Sequence, residues 1–70
     1  PSPKAEDWMN AAHVHLVSNR MQEALHHYRN AQKFFEYHSD FIDSFQKDKA
    51  TLLQLGKSEE EIAIVFDLLI

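Results

Sequence analysis

Apolar positions recur along this chain with the period of an α-helix. Trp8, Ala11, Ala12, His15 and Leu16 stand three and four residues apart, and Met21, Ala24, Leu25, Tyr28, Ala31 and Phe35 make a second stripe of the same kind. Residues at those spacings share one helix face. Phe41, Ile42, Phe45, Leu52, Leu53 and Leu55 form a third stripe, interrupted by the polar Gln46-Lys47-Asp48-Lys49. From Ile62 to Ile70 only Asp67 is polar. A helix there is apolar nearly all round and needs cover from two directions.

The breaks between stripes carry their own signals. Ser2 before Pro3 has the form of an N-cap with proline at the first helical position, predicting a helix from Pro3 to Val17. Ser18-Asn19-Arg20 is a polar break whose Asn tolerates the left-handed conformation. So short a connection predicts antiparallel neighbours. Ser39 and Asp40, both good caps, predict a turn between the second and third helices. Gly56 is placed to cap the third helix, and Ser58-Glu59-Glu60-Glu61 has the capping-box pattern that opens a fourth. Gly56 is the only glycine and both prolines lie in the first three positions, so the chain is predicted to be all-α, with about four helices in antiparallel hairpins.

Seventy residues make one small domain, spanning 1–70, near the size where a single core only just outweighs chain entropy. The chain begins Pro1-Ser2-Pro3 without Met and stops at Ile70 inside an apolar run, as expected of a piece of a longer protein. Charged residues are 26% and apolar residues 44% of the sequence, a globular balance. A formal net charge of −4 and the lack of a basic stripe argue against a nucleic-acid partner. Cysteine is absent, which excludes disulfides and zinc–thiolate sites and fits a reducing, cytoplasmic location. No run approaches the roughly 18 apolar residues of a membrane span, so no membrane partner is expected.

Trp8, Ala12, Ala24, Tyr28 and Ala31 give the region from about residue 5 to residue 38 a further property: it resembles one tetratricopeptide repeat, whose period is about 34 residues. Small residues at positions 12 and 24 would let two helices approach within about 8–10 Å, with Trp8 and Tyr28 filling the wider space beside them. Ala11 stands where that family has Leu, His15 where it often has an aromatic, and Glu36 where a proline often closes the repeat. On this resemblance residues 39–70 form a degenerate second hairpin or C-terminal cap. Domains of the microtubule-interacting-and-transport type look similar over Gln22 to Phe35.

The tetratricopeptide resemblance implies a non-catalytic module that binds a protein or peptide. Its groove would be lined by the first helix, here Glu6, Met9, Asn10, His13, Leu16 and Val17. The alternative is a small homodimerisation domain that self-associates, or docks on the rest of a parent chain, through Ile62, Val65, Phe66, Leu69 and Ile70. A histidine-dependent metal domain is the minor alternative. His13 and His15 lie roughly 200° apart around a helix axis and no i, i+4 pair occurs, so no metal ligands and no cofactor are assigned. His15 reads instead as a packed core histidine. Nucleophilic catalysis would need a serine beside a base in a water-excluding pocket, and a chain this small offers little volume for one, so no catalytic residue is assigned and the chain is not expected to be an enzyme.

Overall fold

The computed structural model describes residues 3–70, which form four helices: α1 Pro3–Val17, α2 Met21–Lys33, α3 His38–Gln54 and α4 Glu59–Leu69. The class is all-α, with no strand among the described residues. The anticipated cap at Ser2 lies outside them.

Two of the helix ends follow directly from local chemistry. After α1, Asn19 adopts φ 63°, and the N–H groups of Asn19 and Arg20 return to the carbonyls of Leu16 (3.1 Å) and His15 (2.9 Å). After α3, Gly56 adopts φ 105°, and the N–H groups of Gly56 and Lys57 return to Leu53 (3.2 Å) and Leu52 (3.1 Å). Both are Schellman-type caps, satisfying carbonyls that a helix end otherwise leaves open. α4 opens with the anticipated capping box: the Glu61 N–H donates to Ser58 Oγ at 3.1 Å, and the Ser58 N–H donates to Glu61 Oε1 at 3.2 Å.

The turn between α2 and α3 departs from expectation. It lies at residues 34–37, with Tyr37 as an extended N-cap that supplies no side-chain bond, while Ser39 and Asp40 fall inside the first turn of α3. The cause is apolar. Phe35 leaves the helix but stays buried, edge-on to Phe41 at 5.8 Å, so aromatic packing across the turn fixes the boundary rather than a polar cap. Asp40 still gains from the positive end of the helix dipole.

α1 and α2 meet through alanine. Ala5, Ala12, Ala24 and Ala31 are all completely buried, together with Tyr28, and their small side chains permit close backbone approach. The buried face of α1 is Ala5, Met9, Ala12 and Leu16, turned by one residue from the stripe anticipated through Trp8, Ala11 and His15. Trp8 lies on the flank of that face, partly buried, 5.2 Å from the His27 ring. An indole is too large for the narrow seam between the alanines.

The second half of the core is aromatic. Phe35, Phe41 and Phe45 form a row that continues to Tyr28 on α2 (5.4 Å from Phe45) and to Phe66 on α4 (5.5 Å). Leu52, Ile62, Val65 and Leu69 complete it. Each such side chain taken fully out of water stabilises the fold by about 1.5–3 kcal/mol.

The cover anticipated for α4 is present on one side only. Ile62, Val65 and Leu69 are buried in the chain's own core, whereas Ile64, Leu68 and Ile70 stand 56%, 53% and 60% exposed. Polar contacts hold this helix at both ends. The buried Lys57 ammonium, just before α4, donates to Asn19 Oδ1 (2.7 Å) and Glu61 Oε2 (3.0 Å), and Gln32 Nε2 donates to the Leu69 carbonyl at 2.8 Å.

Candidate functional site

α1 and α3 diverge enough to leave an open groove of about 550 Å3 between them. α1 contributes Glu6, Met9 and Asn10; the α2–α3 turn contributes Phe35; α3 contributes Asp40, Asp43, Ser44, Lys47 and Asp48. Met9 and Phe35 are buried and form an apolar floor. The rim is polar and mostly acidic. Glu6, Asp40 and Asp43 are exposed, and none has an ion-pair partner among the described residues. The residues at the interrupting run Gln46 to Lys49 thus have a place: they belong to one continuous helix, with Lys47 and Asp48 turned toward the groove.

Three of the six anticipated groove residues, Glu6, Met9 and Asn10, line this space. The other three do not. Leu16 is 1% exposed in the core, and Val17 packs partly buried against that core. His13 turns inward: its Nδ1 lies 2.6 Å from the Tyr28 hydroxyl and its Nε2 lies 2.9 Å from Asp48 Oδ2. The correction has a simple geometric origin. The groove ends one turn past Asn10, where the His13 imidazole bonds to Tyr28 and to Asp48 on α3 and lies against Phe45.

Asp48 explains why His13 is there. Phe41, Phe45, Asp48 and Leu52 occupy one face of α3, so a carboxylate sits where the apolar stripe would otherwise continue. An ionised carboxylate only accepts, so His13 donates its Nε2–H to Asp48, and in the neutral imidazole Nδ1 accepts the Tyr28 O–H. Burial pushes the Tyr28 phenol well above its ordinary pKa, and the Asp48 charge adds to the effect. The phenol therefore stays protonated and continues to donate. Tyr28 is completely buried, so one end of the relay lies in the core, and the relay ties α1, α2 and α3 together.

The histidine that turns toward the core is thus His13, its side chain 12% exposed, rather than His15. His15 lies on the surface of the α1–α2 pair, 4.5 Å from the His27 ring, and its Nδ1 accepts from Arg20 Nε at 2.9 Å. Partial desolvation, then the Arg20 and His27 charges, hold its imidazole below the ordinary histidine range, against an opposing pull from Glu23. Among the described residues no group of three or more His, Cys, Asp or Glu is arranged to hold a metal ion. Among the described residues no helix is long and apolar enough to cross a membrane.

Of the anticipated self-association residues, Ile62, Val65 and Leu69 are core, Phe66 is partly buried and Ile70 is exposed. The apolar surface that α4 offers outward is Ile64, Leu68 and Ile70. A helix apolar on every side gives no periodic signal to distinguish its two faces. Lys57 escaped the sequence reading altogether. Its signal was present: a lysine four residues before the capping-box Glu61 and directly after the Gly56 turn. No family model matches the chain, and no curated protein or solved structure matches it.

Proposed function

We infer that this domain is a non-catalytic protein-interaction module of tetratricopeptide-like type that grips a peptide segment between α1 and α3. The observation that carries the reading is the groove itself, a concave surface with an apolar floor at Met9 and Phe35 and polar groups around its rim. That combination is how proteins hold a ligand by shape while fixing its orientation by polar contacts. Selection of displayed random peptides on the immobilised domain, followed by amide-shift mapping, tests it. Selected peptides should perturb Glu6, Asn10, Asp43 and Ser44; selection of peptides that perturb only α4, or of none, overturns it.

Self-association is a second reading, supported by the exposed Ile64, Leu68 and Ile70. It predicts a dimer in sedimentation that Leu68→Asp dissociates. A chain that sediments as a monomer at millimolar concentration removes this reading and leaves the groove untouched.

A further inference from the structure

The groove's charge is more specific than its shape. Four carboxylates, Glu6, Asp40, Asp43 and Asp48, stand around it with a single ammonium, Lys47. Among the described residues only Asp48 of these four has an ion-pair partner, His13. Elsewhere on the chain acids and bases are nearly balanced in number, seven Asp or Glu against six Lys or Arg. A groove lined by one sign of charge over low-dielectric walls concentrates ligands of the opposite sign. Resting on the groove reading above, we propose that the occupant is a basic protein segment, one carrying lysine or arginine residues on either side of an apolar anchor.

The division of labour follows from the lining. The anchor enters over Met9 and Phe35, whose buried side chains offer apolar contact and no hydrogen bond. Basic side chains flank it, reaching Glu6 on the α1 rim and Asp40 and Asp43 on the α3 rim. These carboxylates belong to two helices and nowhere converge as three ligands around a point, so they suit cations strung along a chain rather than a single metal ion. The distance between the rims is spanned by the long stems of lysine and arginine, which lie along apolar surface while their heads stay in water. Charge also gives a reason for the exclusion of acidic partners: a glutamate-rich segment would meet unpaired like charge on both rims.

The test uses the 70-residue chain and three synthetic amphipathic peptides of equal length, with leucine on one face and lysine, serine or glutamate on the other. Binding is followed by fluorescence anisotropy and mapped by amide shifts. The lysine peptide is expected to bind with shifts along Glu6, Asn10, Asp43 and Ser44, and the glutamate peptide is expected not to bind. Asp40→Asn with Asp43→Asn should weaken the lysine peptide about fivefold, the scale of two exposed charge contacts, while Glu23→Gln with Asp67→Asn, equal in charge but distant, should change it less than about twofold. Equal losses in the two double variants would mean diffuse attraction and overturn the proposal. Groove shifts from the serine or glutamate peptide at equal affinity would remove the basic class while leaving the groove reading standing. Spermine binding in the groove as tightly as the lysine peptide would assign it to a polyamine and overturn the protein segment. Binding of none of the three would overturn the proposal.

Discussion

The two halves of this domain are held by different means. α1 and α2 meet across a seam of alanines, Ala5, Ala12, Ala24 and Ala31, whereas α3 and α4 attach through Phe41, Phe45, Leu52, Ile62 and Val65. Small side chains demand near contact of two backbones, and that contact tolerates no extra atom. Large ones fill a wider space, where a missing ring leaves a void. The outer surfaces differ as well. Among the described residues the first pair exposes Val14 and, at the end of α2, Phe34, while α3, α4 and the residues around them expose Tyr37, Leu53, Leu55, Ile64, Leu68 and Ile70. The first pair leaves less apolar surface outward, and its α1 forms one wall of the groove. The second half leaves apolar surface outward and lends one side of α3 to the groove.

The largest test of this contrast is Phe45→Ala. Phe45 touches His13, Tyr28, Phe41 and Phe66, and its removal should lower unfolding free energy in chemical denaturation by about 3–5 kcal/mol. Overfilling is the matching insult to the seam: Ala24→Leu should cost about 1–3 kcal/mol, although leucine is the more hydrophobic residue. A cost near zero for Ala24→Leu would mean that the seam is slack. Between the two halves stands the relay. Tyr28→Phe leaves the His13 ring nitrogen without its donor and should cost about 1–2 kcal/mol, with a smaller cost once Asp48→Asn is already present, because the two changes share a network.

Smaller effects sharpen the picture at α4. Hydrogen bonds from Lys57 and from the Ser58 backbone and hydroxyl hold Glu61 below the ordinary glutamate pKa. A lowered folded-state pKa contributes stability that is present above the unfolded value and is lost as pH falls through the folded one. Acid titration of stability should therefore be shallower in Glu61→Gln than in the parent on the acid side of about pH 4.3. Smallest of all, Leu68→Lys on the exposed face should change monomer stability by no more than about 0.5 kcal/mol.

What could be read from the sequence was what is local. Asn19, Gly56 and the Ser58–Glu61 box act within a few residues of themselves, and each sits in the conformation its side chain predicts. The turn at residues 34–37 was not legible, because Phe35 and Phe41 set it by packing while Ser39 and Asp40 offered a plausible polar alternative. The same distinction divides the candidate site. Glu6, Met9 and Asn10 follow from their place on α1, but the acids opposite them come from α3, and only the folded chain brings the two helices to one groove. His13 was misplaced for a related reason: its partner Asp48 is 35 residues away.

The contacts at the two ends of α4 also bear on how this molecule opens. Eleven residues are too few to stay helical alone, and helix ends ordinarily fray first. Here Gln32 grips the tip at the Leu69 carbonyl, and Lys57 grips the base by reaching back to Asn19. Neither end is free to peel first. Amide protons along α4 should consequently exchange with solvent as one block, at a common rate, rather than in a gradient rising toward Ile70.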